Sequence, residues 1–161
     1  MGDHIDQVRD PSPTPEFREL FSSHGLRCTQ QRMAIYAALS ATKSHPTADE
    51  LYKRVNDQTH AGPLSLATVY NTLEAFSRVG LCRKIPTVRG TVRYDADTSD
   101  HIHIRFRDSD RLIDVPAELS QQLFEAVPPN TLRAVEEALG VQISGINIQL
   151  VGRQSTTPSR S

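Results

Sequence analysis

A chain of 161 residues with 37% hydrophobic residues, no tryptophan and a formal net charge of −1 fits one compact domain or two small ones. Its two cysteines, Cys28 and Cys82, exclude a disulfide framework or a cysteine-rich zinc cluster built from one chain. No apolar run reaches the roughly 20 residues of a membrane span, and the acidic, proline-rich N-terminus lacks the apolar core of a secretory signal. We therefore expect a cytoplasmic protein with no membrane partner.

The charges are unevenly distributed along the chain. Residues 16–94 contain 11 Lys and Arg against 6 Asp and Glu, whereas residues 95–152 contain 4 Arg against 10 acidic residues. A basic half joined to an acidic half favours an anion-binding domain beside a domain with another task. We expect a mobile N-terminal arm at 1–15, two domains at 16–94 and 95–152, and a mobile tail at 153–161.

Helical spacing of apolar residues predicts four helices in the first domain. Gly25 ends the first helix, and Thr29 can cap the second. Thr47 and Glu50 form a capping box, in which each side chain bonds the other residue's backbone amide, at the start of the third. The fourth spans residues 65–80 and carries an apolar stripe along one side.

Shorter, β-branched segments follow these helices. Residues 81–88 and 91–96 flank Arg89-Gly90, which indicates a β-hairpin, and helices followed by a small hairpin form a winged helix-turn-helix domain. The second domain is predicted to contain strands at 101–106, 111–115 and 141–151 and helices at 116–127 and 130–139. The fold class is therefore α+β.

The polar side of the fourth helix carries candidate DNA-reading residues. Asparagine can pair with adenine in the major groove, and tyrosine or threonine can contact phosphates or thymine methyl groups. An amphipathic helix with a solvated polar face, to which Thr72 and Arg78 also belong, is the alternative for one helix alone. The hairpin adds basic residues for phosphates, Arg93 among them. The candidate DNA-binding residues are Arg27, Ser65, Thr68, Tyr70, Asn71, Arg83, Lys84 and Arg89.

Three segments carry a resemblance to a known family. The stretch Leu26-Arg27-Cys28-Thr29-Gln30-Gln31-Arg32 resembles one in the ferric uptake regulator family, and residues 65–73 closely resemble its recognition helix. Residues 47–52 are similar to its third helix, and the resemblance runs over 16–152. It implies a two-domain, homodimeric repressor that binds palindromic double-stranded DNA operators when loaded with metal. Tyr70 would then contact a base.

A mixed set of histidines and aspartates forms the candidate metal site. His101 and His103 are separated by one residue, so on a strand both imidazoles project from one face. Asp95, Asp114 and His45 complete a set that matches, residue by residue, the regulatory site of the family's peroxide-sensing branch. Asp114 favours that branch, since the iron-sensing branch more often has Glu there. The resemblance implies that metal bound at these residues couples the two domains.

The donor atoms of this set restrict the choice of metal. Three imidazoles and two carboxylates accept Fe(II), Mn(II) or Zn(II) and do not favour Cu(I). We therefore expect one regulatory divalent metal per chain, Fe(II) or Mn(II) foremost and Zn(II) as the third choice.

The chain departs from the family at its structural zinc. Members usually have two cysteine pairs there, and a further site without thiolates. The residues at these positions are Phe106 and Ser109, Gln154 and Thr157, and for the further site Ile102 and Ile146. No structural four-cysteine zinc is expected, so apolar packing must hold the second domain's sheet. Cys28 and Cys82 match no ligand position, and burial is favoured over a redox role for both.

Three alternatives to a metal-dependent repressor stay open. Cysteine-poor, haem-responsive members of the family also resemble this chain, although haem does not need two carboxylates with three histidines. A small metallohydrolase could use His101 and His103 with an aspartate, but it would need an open coordination position and a general base. A dimeric scaffold without metal control is the third. We predict a non-enzymatic repressor of metal-homeostasis or peroxide-stress genes.

Overall fold

A computed structural model describes residues 15–58, 64–87, 90–109 and 111–153. Six helices and five short strands lie in these ranges and confirm the α+β class. The described residues within 15–42, 46–86 and 91–98 form one compact unit, unit 1. Residues 43–45 and the described residues within 87–90 and 99–153 form unit 2. The predicted arms, except for Pro15 and Arg153, and the hairpin residue Arg89 lie outside the described residues.

Unit 1 contains four helices: α1 (Pro15–Ser23), α2 (Gln30–Ser40), α3 (Ala48–Gln58) and α4 (Leu66–Arg78). The two predicted caps, at Thr29 and Thr47, are confirmed. Thr29 Oγ1 accepts the Arg32 amide at 3.3 Å, and Thr47 and Glu50 bond each other's amides at 3.2 and 2.9 Å. Ser65 Oγ accepts the Thr68 amide at 3.0 Å and so begins α4.

Gly25 and Gly80 end α1 and α4 in the left-handed region, with φ of 67° and 81°. The amide after each glycine bonds back to the carbonyl five residues earlier, Leu26 to Phe21 at 2.8 Å and Leu81 to Phe76 at 2.9 Å. The chain therefore turns sharply after each helix, and β1 (Arg83–Pro86) follows α4 directly.

The hairpin is shorter than the sequence predicts. β1 pairs antiparallel with β2 (Val92–Asp95), with Arg83 opposite Asp95. Leu81 and Cys82, which were expected in the first strand, are buried in the core cluster instead. Their side chains fill the interior at the end of α4, so strand pairing begins only at Arg83.

The core of unit 1 centres on packed aromatic rings. Phe21 and Phe76 are fully buried and stack with their ring centroids 5.5 Å apart. Tyr36 meets these two rings edge-on at 5.7 and 5.5 Å, an arrangement that aromatic rings prefer. Aliphatic side chains from α2, α3 and α4 complete the cluster.

Unit 2 is a three-stranded sheet with two helices. β3 (His103–Phe106) lies between β4 (Leu112–Asp114), antiparallel to it, and β5 (Gln149–Gly152), parallel to it. The helices α5 (Ala117–Glu125) and α6 (Pro129–Leu139) connect β4 to β5. None of the helices in the described part of the chain is long and apolar enough to cross a membrane.

The last predicted strand is largely wrong. The observed strand β5 spans 149–152 and overlaps the expected 141–151 only at 149–151, and 141–148 have no regular structure. Alternating apolar residues form a strand when a neighbouring strand or layer covers one face. In this chain Val141 and Ile146 are exposed, so the pattern alone does not extend the sheet.

Candidate metal centre and nucleic-acid interface

Four of the predicted metal ligands lie together in unit 2. His45 ends the segment 43–45, which follows α2, and His101 lies two residues ahead of β3. His103 is the first residue of β3, and Asp114 is the last of β4. The antiparallel register places His103 directly opposite Asp114, so these two side chains are cross-strand neighbours.

The ligand atoms of these four residues are unusually close. Nε2 of His45 lies 2.8 Å from Oδ1 of Asp114, and Nε2 of His101 lies 3.0 Å from Nε2 of His103. The latter two nitrogens are each 3.5 Å from the same carboxylate oxygen. Atoms that bind one ion at about 2.0–2.2 Å stand roughly 3–3.5 Å from one another. These four distances therefore match edges of one coordination polyhedron.

Asp114 Oδ1 gives a direct test of whether an ion fits. The atom is buried and accepts no hydrogen bond of good geometry from the described residues, despite the nearby imidazole nitrogens. A buried carboxylate oxygen without a hydrogen bond or a cation is strongly unfavourable. The donor set and this oxygen together fit a divalent metal.

His101 is held in the tautomer that a ligand needs. Its Nδ1 lies 2.9 Å from the carbonyl oxygen of Ser99. A carbonyl only accepts hydrogen bonds, so Nδ1 is the donor, and a neutral imidazole of this tautomer has its lone pair on Nε2. Histidines that bind metals commonly donate their other ring N–H to a backbone carbonyl in this way.

His45 has an uncommon backbone conformation. Its φ is 49°, and it is the one non-glycine residue with a positive φ in the described ranges. Its imidazole is buried and packs edge-on against His103, with the ring centroids 4.8 Å apart. A left-handed conformation costs an L-residue about 1–2 kcal/mol, and such residues cluster at functional sites.

Asp95, the fifth predicted ligand, is the last residue of β2 and belongs to unit 1. It is buried, and its Oδ1 accepts the amide of Asp97 at 2.9 Å. Its role as a ligand stays a prediction.

The predicted DNA-reading face of α4 is largely exposed. Ser65, Tyr70 and Asn71 are exposed, and Thr68 is partly buried. Thr72, which the sequence placed on the same face, is buried beside Val69, so that assignment is wrong. The reason is that the stripe of α4 that faces the core is wider than its apolar residues alone indicate.

The exposed hydroxyls of α4 already have partners within unit 1. The hydroxyl of Tyr70 donates to the carboxylate of Asp49 on α3 at 3.1 Å, and this hydrogen bond raises the pKa of Tyr70. The hydroxyl oxygens of Ser65 and Thr68 lie 2.8 Å apart. A DNA ligand would have to share or replace these contacts.

The basic residues of the hairpin are also paired. Lys84 forms an ion pair with Glu74 of α4 and thereby lowers the pKa of Glu74, and Arg83 donates to the carbonyl of Thr98. Both side chains lie at the surface and can exchange these partners for phosphates.

Arg93 differs from the other hairpin cations. Its side chain is only 14% exposed and lies 3.3 Å from the carboxylate of Glu50. Arg93 is therefore less accessible than Arg83 and Lys84, and its phosphate contact stays a prediction. Arg27, outside the hairpin, is exposed, and its carbonyl accepts from the Arg32 guanidinium at 2.8 Å.

The sequence did not predict the partners of the candidate DNA-binding residues and of Arg93. Asp49, Glu50 and Glu74 lie within bonding distance of predicted DNA-binding side chains or of Arg93. Ser120 was also missed, although a serine on the inward face of the amphipathic helix α5 is a visible signal. Periodicity shows which residues point inward but not which distant residues they meet.

The two cysteine side chains differ in how deeply they are buried. Cys82 is buried, its Sγ lies 3.8 Å from the carbonyl of Leu73, and burial raises its pKa to about 12. Cys28 is partly buried against the core cluster. The expected burial of Cys82 is confirmed.

Comparison with known proteins gives the family. Residues 23–139 match the model of the Ferric uptake regulator family. The peroxide-responsive repressor PerR of Staphylococcus saprophyticus is 34% identical over 92 residues, 57% of this chain and 61% of that protein. The peroxide operon regulator of Bacillus subtilis is 35% identical over 99 residues, 62% and 67% of the respective chains. The chain thus matches about three-fifths of the length of the first of these relatives.

A solved structure agrees with this match. The ferric uptake regulator of Pseudomonas aeruginosa with manganese is 28% identical, has a TM-score of 0.62 and covers 89% of this chain and 100% of its own. The family match extends over well more than half of the sequence, and the fold agrees with it. The chain belongs to the ferric uptake regulator family.

Proposed function

We propose that the chain is a metal-dependent, homodimeric transcriptional repressor that binds double-stranded, palindromic DNA operators. The observation that carries the proposal is the convergence of three imidazole nitrogens and one carboxylate oxygen, all within 4.8 Å of one another. Such a donor set suits Fe(II), Mn(II) or Zn(II). The proposed ligands are His45, His101, His103 and Asp114, with Asp95 as a fifth.

Unit 1 would supply the DNA contacts. The N-terminal end of α4 is exposed, and hydroxyl and amide side chains there can read base edges and contact phosphates. We assign base contacts to Tyr70 and Asn71 and backbone contacts to the helix N-terminus at 65–68. The proposed phosphate contacts of the hairpin and its surroundings are Arg27, Arg83, Lys84 and Arg89.

Covalent continuity links the metal ligands to α3. His45 is followed by Pro46, whose carbonyl accepts the Tyr94 amide at 3.0 Å, and by Thr47, which caps α3. Asp49, in the first turn of α3, holds the hydroxyl of Tyr70. An ion bound by His45 would therefore restrain the segment that begins α3. A binding free energy shared in this way is the basis of allosteric control.

The two named relatives support a peroxide response in particular, since both are named as peroxide regulators. Bound Fe(II) would supply peroxide chemistry at the site, and we propose His45 and His101 as the residues that gain oxygen. Family membership favours a regulator over the metallohydrolase alternative. No feature of the described residues favours haem, because each imidazole of the cluster contacts another ligand.

The metal-dependent function is tested by selecting DNA with the loaded protein. Mn(II)-loaded protein would select duplexes from a random library, and binding of the selected duplex would then be measured with Mn(II) and with EDTA. We expect His103→Ala and Asp114→Ala to lose metal-dependent binding, because each removes a ligand. The control Asp108→Ala removes an exposed carboxylate of unit 2 and should bind as wild type. Equal DNA binding with Mn(II) and with EDTA would support the scaffold alternative instead.

The peroxide response is tested by peptide mass spectrometry. After Fe(II) loading and a substoichiometric dose of peroxide, the peptide carrying His45 or His101 should gain one oxygen atom, and Mn(II) should prevent this. The double variant Cys28→Ser/Cys82→Ser should respond like wild type. Oxidation confined to Met33 or to the cysteines would leave a repressor that does not sense peroxide through its metal ligands.

A further inference from the structure

The inward face of α5 carries one polar side chain. Leu119 and Leu123 are 50% and 37% exposed, whereas Ser120 is 1% exposed and Phe124 is partly buried. Amphipathic helices at the surface of a domain usually place apolar residues on the face that packs against the core. A buried hydroxyl costs about 1–3 kcal/mol unless it is hydrogen-bonded, so the partners of Ser120 indicate its role.

Both partners of Ser120 are backbone groups beside metal ligands. Its Oγ accepts the amide of Ile102 at 3.2 Å and donates to the carbonyl of Val115 at 3.2 Å. Ile102 lies between His101 and His103, and Val115 directly follows Asp114 in the sequence. One hydroxyl therefore connects the two segments that carry three of the four ligands of unit 2.

These two backbone groups lie just outside the sheet. β3 begins at His103 and β4 ends at Asp114, so His101 and Ile102 precede the paired residues of β3. Beyond the paired residues, the amide of Val115 donates to the carbonyl of Ile102 at 2.8 Å. The amide of Ile102 points the other way and is bonded by Ser120. Ser120 thus supplies a side-chain hydrogen bond to the segment that precedes β3.

We propose that Ser120 is a positioning residue of the metal centre, which holds His101 and His103 at the spacing from Asp114 that one ion requires. This inference rests on the proposed metal site. The hydroxyl acts through the backbone, because its hydrogen bonds go to main-chain atoms and not to ligand atoms. Without it the Ile102 amide would be left unsatisfied in the interior. The segment would then shift to find a partner and carry His101 with it. Outer partners of metal ligands are typically worth roughly 10- to 100-fold in metal affinity.

Metal affinity, rather than stability, tests the proposal. Mn(II) and Zn(II) affinities would be measured by competition with a chromophoric chelator, and the visible absorption of bound Co(II) would report the ligand geometry. We expect Ser120→Ala to weaken Mn(II) binding by roughly tenfold or more and to change the Co(II) spectrum. Ser120→Thr keeps the hydroxyl and should retain most of the affinity, which guards against loss of folding in the alanine variant.

The matched control lies one turn further along α5. Phe124→Leu loosens the packing of the same helix without removing a hydrogen bond to the ligand segments, so it should lower the apo Tm and leave metal affinity unchanged. Ser120→Ala protein that binds Mn(II) as wild type does, or Phe124→Leu protein that is weakened equally, would overturn the positioning role. A wild-type chain that takes up no ion would overturn the metal site itself, and Ser120's role with it.

Discussion

The two units bury their apolar residues to very different extents. The main core cluster, with its stacked Phe21 and Phe76, belongs entirely to unit 1. Of the eight exposed large apolar residues in the described part of the chain, seven belong to unit 2. Unit 1 therefore has the interior of a finished domain, whereas unit 2 presents apolar surface to solvent. Large exposed apolar patches usually mark interfaces.

The difference in apolar burial indicates that the two units have different tasks. A domain that packs its own core can offer a polar, basic surface to DNA. A domain whose apolar residues remain exposed gains stability when a second copy covers them. We propose that the exposed apolar residues of unit 2 form the homodimer interface. They are Leu119, Leu123, Val135, Leu139, Val141, Ile146 and Val151.

The largest effect is expected in the core of unit 1. Phe76→Ala removes a fully buried ring that stacks on Phe21 and should lower the free energy of unfolding by about 3–5 kcal/mol. Urea unfolding followed by circular dichroism measures it. Leu123→Ala, at an exposed position of unit 2, is the control. This substitution should lower the free energy of unfolding by a smaller amount. The loss should depend on protein concentration, as expected for a residue in a dimer interface. Equal losses of unfolding free energy for the two variants, at all protein concentrations, would contradict the difference in burial between the units.

The next effect concerns the exposed apolar face of unit 2. Val135→Asp combined with Leu139→Asp places two charges on one face of α6, because residues four apart share a face. Dimer affinity should fall by roughly 100-fold or more, since truncated interface anchors each cost about 2 kcal/mol. Light scattering coupled to size-exclusion chromatography would show the mass of one chain.

Two controls accompany this variant. Glu137→Arg changes a charge on the opposite side of α6 and should leave the dimer intact. The wild-type dimer should survive EDTA, because a chain with two cysteines cannot form a four-thiolate zinc site of its own. Monomers that appear on chelation would show that metal, and not apolar contact, holds the copies together.

A smaller effect is expected at the DNA surface of unit 1. Tyr70→Ala should weaken binding of the selected operator by about 1–3 kcal/mol and leave the fold intact, because the side chain is exposed. Fluorescence anisotropy with specific and random duplexes separates the two kinds of binding. Tyr70→Ala protein that retains wild-type preference would show that α4 does not read the bases.

Lys84 and Glu74 offer a matched pair of changes with opposite signs. Lys84→Ala should weaken binding to all sequences and flatten the dependence of log affinity on log salt by about one unit. Glu74→Gln should strengthen binding to random DNA, because it releases Lys84 from its ion pair. If both variants bind random DNA as wild type does, the hairpin does not contact phosphates.

The smallest expected effect is a difference in reactivity between the two cysteines. Burial raises the pKa of Cys82 from 9.0 to about 12, so the protonated thiol is favoured in the folded chain. The resulting stabilisation is complete below about pH 9 and is lost as the pH rises towards 12. At about pH 8, iodoacetamide should alkylate the partly buried Cys28 in folded protein and Cys82 only in urea. Rapid alkylation of Cys82 in the native state would contradict its burial.

How far the sequence predicts the structure depends on the range of the interactions involved. The caps at Thr29 and Thr47 join residues three apart, and they could be read from the sequence. The four proposed ligands that lie together in unit 2 were predicted from the family resemblance and, for His101 and His103, from the alternation of strand residues. The pairing of Arg93 with Glu50 joins residues 43 apart in the chain, and no local pattern encodes it.

The final segment, 141–148, could not be predicted for a different reason. Its alternation is that of a strand, but an alternating pattern specifies a strand only together with the surface that covers it. The described part of the chain provides no such surface for Val141 or Ile146. Ser120 was missed because its partners are backbone groups, which carry no residue-specific signal.

The positive φ of His45 restricts which residues are tolerated at this position. Glycine, asparagine and aspartate are the residues that accept a left-handed backbone most readily, yet none of them offers an imidazole. Residues that resemble histidine in size do not fit this backbone better. For the proposed metal site, stability and metal binding therefore favour different residues at this position. His45→Gly would be relieved of backbone strain but would have no ligand nitrogen, so the proposed role of His45 in binding the ion is obtained at the expense of stability.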